Sequence, residues 1–396
     1  MAISHPAPQP LLKALPAVLL TVAVFFLNFL TRITLAPLMP VVESELGFSH
    51  AQAGTVFLAL GVGNGIGLLL SGFLSREVGH RRTVGISSLI VGCFAMFASQ
   101  AWSCDSLQWS FLLLGVSVGL YLPSGIGVVT SLVRKEDWGK TLALHETAPN
   151  TAFVAAPLLA EALLLVWGWR SSLVLLGGAQ LLLGAYFLKF GRGGDYPGVT
   201  PFSKEAGTVV RSLRFWLLIA CFVWAVGMAM GPYSMMPLYL IEDHGYTRET
   251  ANHLLAVSRC AAVFTAFLGG WLTDRMGVKP VMTVYFAICG LATVLLGAAK
   301  GPLLVAAVIL QPVCTVLFFP AGFTLLAKMF NPRERNAALA FLGPTNAVFG
   351  VGLMPWVLGI LGEQGEFATG FIFQGAGCLL LLLLVPLLPG EENPNR

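Results

Sequence analysis

The sequence predicts an all-α membrane protein with twelve transmembrane helices in two pseudo-symmetric six-helix bundles. Three observations predict it: scarce charge, apolar runs of spanning length along the whole chain, and short segments that return at a nearly constant offset. Of 396 residues, 56% are hydrophobic and 11% are charged, against roughly 25% charged in an average soluble domain. Most of such a chain is solvated by lipid rather than water. Apolar runs of about twenty residues, enough to cross a bilayer as helix, recur with Gly, Pro or short charged stretches between them.

Taken in order, the runs place spans at 14–42, 49–75, 83–101, 107–133, 141–166, 171–190, 214–241, 247–273, 281–299, 302–328, 337–361 and 367–388. The first ten residues carry no basic charge, and the run after them is too long for a signal-peptide core, so the first span is expected to stay in the mature protein. The longest polar segment, rich in Gly, Pro and charge, follows the sixth span. The organisation expected is a bundle at 1–190, a cytoplasmic linker at 191–213 and a second bundle at 214–396.

An even number of spans puts both termini on one side. Of the 23 Lys and Arg, eighteen fall on that side, two fall within spans, and only Arg170, Arg248 and Lys300 lie in the opposite loops. Basic residues gather on the cytoplasmic side, so both termini are expected there, in the plasma membrane (a bacterial inner membrane), as a monomer in the lipid bilayer. The formal net charge is only +4 and the basic residues sit in short clusters between spans, which speaks against nucleic-acid binding. Seven cysteines without a CxxC pair read as small buried hydrophobes.

The halves echo each other. Leu120-Tyr121-Leu122-Pro123-Ser124-Gly125 returns as Leu317-Phe318-Phe319-Pro320-Ala321-Gly322, 197 positions later. Gly72-Phe73-Leu74-Ser75 with Gly79 and Arg81 returns as Gly270-Trp271-Leu272-Thr273 with Gly277 and Lys279, and Gly47-Phe48-Ser49 as Gly245-Tyr246-Thr247, both 198 positions later. A duplicated six-helix unit with a central linker is a transporter architecture, in which the binding site lies near the bilayer midplane.

Arginine at the centre of a spanning helix costs about 2.5–3.5 kcal/mol on insertion scales, so each one needs a partner or a task. Two are present, Arg32 in the first span and Arg259 in the eighth, and Glu146 in the fifth span is the acid expected to lie deep. Two guanidinium forks against one carboxylate leave positive charge for a bound carboxylate or other oxyanion. Asn28 shares a helical face with Arg32, and Asn150 with Glu146. Asn346 follows Pro344 as Asn150 follows Pro149. Tyr121 and Gln311 complete the candidate substrate residues, either able to bond a ligand or a neighbouring helix. Glu146 and His145 are the candidates for proton coupling. No HExxH, phosphate loop, metal-ligand spacing or Ser/His/Asp arrangement occurs, which speaks against an enzyme, an ATP-driven pump and any cofactor.

The loop after the eighth span, Gly270-Trp271-Leu272-Thr273-Asp274-Arg275-Met276-Gly277-Val278-Lys279, resembles the signature G-x-L-a-D-r-x-G-r-[RK] of the major facilitator superfamily. The copy after the second span departs from it, with Arg76 where the family has Asp and Glu77 where it has Arg. The resemblance implies a gating role for Arg76, Glu77, Arg81, Arg134, Asp274, Arg275 and Lys279. Arginines in the first and eighth helices recur among members that carry anions, and Asn28-Phe29-Leu30-Thr31-Arg32 with Pro37-Leu38-Met39-Pro40 is similar to the first helix of cyanate-type permeases. The fifth-helix pattern of drug and proton antiporters, G-x-x-x-G-P-x-x-G-G, matches Thr151 to Ala160 only at Pro157. The function expected is secondary transport by alternating access, proton-coupled and specific for a small organic anion such as a carboxylate. The alternative is efflux of drugs or lipids by proton antiport.

Overall fold

In the computed structural model, residues 8–200 and 206–389 are described, with the side chains of all of these except 263, 264, 266, 267, 332 and 333. Residues 201–205 of the expected linker, Lys204 among them, lie outside the described residues. The chain is almost wholly helical, and the one β-bridge among the described residues joins Gln9 to Val133.

Among the described residues, ten helical stretches are long and apolar enough to cross a membrane: α1 (Leu11–Leu46), α2 (His50–Val78), α3 (His80–Ala98), α4 (Cys104–Leu132), α6 (Trp169–Phe190), α7 (Leu213–Glu242), α9 (Val278–Ala298), α10 (Pro302–Met329), α11 (Glu334–Glu363) and α12 (Phe367–Leu387). Two more of equal length, α5 (Trp138–Leu164) and α8 (Arg248–Met276), bring the passages to the expected twelve. These two are the helices that carry His145, Glu146, Asn150 and Arg259.

Breaks within the spans follow from proline, whose ring removes an N–H and crowds the carbonyl four residues back. Helix α1 breaks at Thr34 ahead of Pro37, α4 at Leu120 ahead of Pro123, and α10 at Val316 and Leu317 ahead of Pro320. In α11 the helix widens to π form over Asn346–Leu353, just after Pro344.

The chain divides into two compact units, one of Met1–Gly47 with Ala59–Pro201 and one of Phe48–Leu58 with Phe202–Arg396. Glycine lets helices touch backbone to backbone in each, which is how membrane helices associate without a hydrophobic drive. In the first unit α2 and α4 interlock: a methyl added at Gly63 would stand 2.0 Å from Leu112 O, at Gly67 2.0 Å from Val116 O, at Gly115 2.3 Å from Leu60 O and at Gly119 2.4 Å from Asn64 O. Both stretches carry the G-x-x-x-G spacing that sets small residues on one helical face. In the second unit α9 and α12 meet through Gly290 and Gly375.

The start of α2 belongs to the second unit for the same reason. A methyl at Gly54 would stand 2.8 Å from Trp356 Cα, and one at Gly359 2.5 Å from His50 O. The duplicated loop shows its origin in the backbone. Gly79 and Gly277 take φ of 83° and 84°, a region that glycine enters without the penalty a Cβ imposes.

Candidate functional site

In the first unit the candidate residues converge on α1, α4 and α5. Phe25 of α1 stacks on two rings, 4.3 Å from His145 and 4.9 Å from Tyr121 and nearly parallel to both. Tyr121 donates its hydroxyl proton to Thr21 O at 3.0 Å, and its oxygen lies 3.1 Å from His145 Nε2. His145 Nδ1 lies 3.3 Å from Glu146 Oε1, so the imidazole joins the Tyr121 hydroxyl to the Glu146 carboxyl group in one chain of polar contacts.

Glu146 is not enclosed by the protein. Its side chain is 58% exposed while that of His145 is fully buried. Among the described residues, the acids enclosed by the protein are Glu43 and Glu161. The reason is helical phase: His145, Ala148 and Ala152 form the buried face of α5, and Glu146 is about 100° around from His145. Asn150 donates to Glu146 O at 2.8 Å, so its amide nitrogen caps the helix's own backbone.

Arg32 stacks on Phe29, Cζ to ring centroid 4.1 Å, and Phe29 packs edge-on against Phe153 of α5 at 5.1 Å. Its Nε is enclosed and has no hydrogen-bond partner, and neither has the buried Nδ2 of Asn28. Among the described residues no carboxylate pairs with Arg32. A planar cation held against an aromatic face, with N–H donors unspent, is preset for a planar oxyanion.

In the second unit three side chains converge on the middle of α7. Gln374 Nε2 donates to Gly227 O at 2.8 Å, Gln311 Nε2 to Met228 O at 2.7 Å, and Arg259 Nη2 to Ala229 O at 3.1 Å. Pro232 explains the middle contact, because the N–H it lacks is the one that would have bonded Met228 O. Gln311 thus repairs the helix. Arg259 also lies over the Tyr233 ring, Cζ 4.9 Å from its centroid, and is 4% exposed. Asn346 opens the π-helical stretch of α11 with a buried Oδ1 that has no hydrogen-bond partner.

Sequence reading passed over Phe25, Thr21, Tyr233 and Gln374. The last two had signals, since Tyr233 follows the Gly231-Pro232 break and Gln374 interrupts an apolar run.

The loop charges are spread out. Arg76 and Glu77 are exposed and form no ion pair among the described residues. Arg81 Nε donates to Asp195 Oδ1 at 2.6 Å, and its Nη1 to Gly191 O at 3.3 Å, so the acid missing from the loop motif is met by one in the linker. Gly198 N to Ser75 O, 3.0 Å, and Arg81 N to Gly194 O, 3.1 Å, tie the linker to the same loop. Tyr196, which lies across this loop, has its phenol pushed up by burial. Arg134 N donates to Gln9 O. In the second copy Asp274 is exposed, Arg275 covers Trp271 and Lys279 Nζ donates to Pro386 O at 3.1 Å.

Comparison with known proteins agrees with this architecture. Relatives include the probable sulfoacetate transporter SauU of Cupriavidus necator, 24% identical over 94% of each chain. A probable hexose phosphate transport protein of Chlamydia pneumoniae is 24% identical over 94% of this chain and 90% of its own. The membrane sensor protein UhpC of Escherichia coli is 23% identical over 93% and 90%. Among solved structures, a bacterial homologue of the human lysosomal transporter Spinster superimposes with a TM-score of 0.77 at 15% identity, over 93% of this chain and 95% of that one. The sequence pattern of the Major Facilitator Superfamily matches residues 21–266 and 232–396, and the chain belongs to that superfamily of membrane transporters.

Proposed function

We propose that this protein is a secondary transporter of a small organic anion with a carboxylate group, driven by protons through alternating access. The observation that carries the reading is the guanidinium of Arg32, held over the Phe29 ring inside the first unit with no carboxylate paired to it among the described residues. An ionisable side chain inside a membrane helix is a functional-site hypothesis by default. Relatives named for sulfoacetate and hexose phosphate support an anion. Arg259 of the second unit is proposed as a further anion-binding group, and His145 and Glu146, 3.3 Å apart, as the proton-coupling pair.

The protein is proposed to act as a monomer in the plasma membrane with both termini in the cytoplasm. Single cysteines at positions 134 and 170 test this with an impermeant reagent on intact cells: position 170 reacts, and rapid reaction at 134 overturns the orientation.

The deciding experiment is uptake into proteoliposomes of a panel of small carboxylates, sulfonates and phosphates, with an inward proton gradient. Accumulation of an anion supports the reading. Uptake confined to lipophilic cations refutes it. Anion binding without flux assigns the chain to sensing rather than transport.

A further inference from the structure

The first unit contains a cavity of about 930 Å³ that the transport reading does not use. It lies where the first turns of α1, the end of α4, the start of α5 and the end of α6 meet the linker. Lys13, Lys135 and Arg192 stand on its wall, and among the described residues none of them forms an ion pair or a side-chain hydrogen bond. The one acid on the wall is Asp195, whose charge is already met by Arg81 at 2.6 Å. The cavity therefore carries unbalanced positive charge.

Its floor is of the opposite character. Lys13, Ala17 and Leu20 follow one another at helical spacing along α1, so a small and an apolar residue extend the cationic end towards the interior of the span. Trp138 and Tyr186 also line the cavity, 40% and 52% exposed, as aromatic residues do at the level of lipid headgroups. A cationic head, an apolar floor and an aromatic rim match an amphiphile rather than a bare ion.

We propose that this cavity binds an anionic phospholipid, with the phosphate among Lys13, Lys135 and Arg192 and an acyl chain along Ala17 and Leu20. Basic recesses between the ends of membrane helices take acidic headgroups in this way. In the proposed orientation the lipid comes from the cytoplasmic leaflet.

The test uses the purified full chain in a neutral detergent, titrated with phosphatidylglycerol, phosphatidylcholine or inorganic phosphate, and reads the melting temperature together with bound lipid by native mass spectrometry. Phosphatidylglycerol should bind and stabilise, and phosphatidylcholine and phosphate should not. Each change, Lys13→Ala, Lys135→Ala or Arg192→Ala, should weaken that binding about fivefold, and Lys300→Ala, in the opposite loop, should leave it alone. The melting temperature of each variant without added lipid shows that it is folded. Equal binding of both lipids by the parent overturns the proposal, as does parental affinity in the triple variant. Stabilisation by inorganic phosphate that phosphatidylglycerol does not exceed overturns the lipid reading in favour of a free anion.

Discussion

Replacing Gln311 by leucine keeps the volume of the side chain and removes the donor that Met228 O uses. The 2.7 Å bond from Gln311 Nε2 crosses between α10 and α7, and both ends are buried. A buried carbonyl left without a partner costs about 1–3 kcal/mol, whereas side-chain bonds between membrane helices average about 0.6 and reach about 1.7 kcal/mol. Gln311 Oε1 has no partner of its own, and its removal offsets part of the loss. The net expectation is about 1 kcal/mol, or about 2–4 °C in melting temperature if each unit unfolds as a domain of its size. The cause is tested by a double-mutant cycle with Pro232→Ala, which restores the N–H that Met228 O lacks. In that background Gln311→Leu should cost well under half as much. Equal losses with and without Pro232 would show that Gln311 does not act through the proline-freed carbonyl.

Arg32→Ala should abolish anion accumulation, and Arg32→Lys, which keeps the charge without the fork, should raise the half-saturating anion concentration about tenfold; uptake by Arg32→Ala equal to the parent removes Arg32 from the site. Glu146→Gln should abolish proton-driven accumulation while leaving anion exchange intact, with His145→Gln as the matched control. Accumulation by the double variant under an imposed proton gradient places the coupling proton elsewhere. His244, beyond the end of α7 and edge-on to Tyr239 at 4.8 Å, has its pKa lowered, first by burial. The unfolded chain binds that proton more readily, so this stabilisation is lost as pH falls through the ordinary histidine value of about 6.5. The melting temperature of His244→Gln should then fall less than the parent's between about pH 7.5 and pH 5.5.

The twelve helical passages were legible from apolar stretches set against charged breaks, because in lipid every backbone group must be paired within its own segment; among the described residues length and hydropathy alone mark ten of them. The duplication was legible too, and the equal φ of Gly79 and Gly277 is its backbone counterpart. Lateral packing was not. The start of α2 sits with the second unit because Gly54 and Gly359 let backbones meet, a relation between residues 305 positions apart. The pairing of Arg81 with Asp195 spans 114 positions. Distance from the helix end places Glu146 along the span but not around it; exposure depends on helical phase, and one residue's rotation separates it from the buried His145.

The two arginines, similar in a hydropathy plot, stand in different chemical situations. Arg32 rests on an aromatic face, and an anion reaching it spends donors that nothing else holds. Arg259 already gives Nη2 to Ala229 O, beside the carbonyls that Gln311 and Gln374 hold in the turn before Pro232. An anion that drew this N–H away would break a contact between α8 and α7, whereas an anion at Arg32 would have no such contact to break. Substrate affinity is expected to rest on the first arginine, and the response of the helix to substrate on the second.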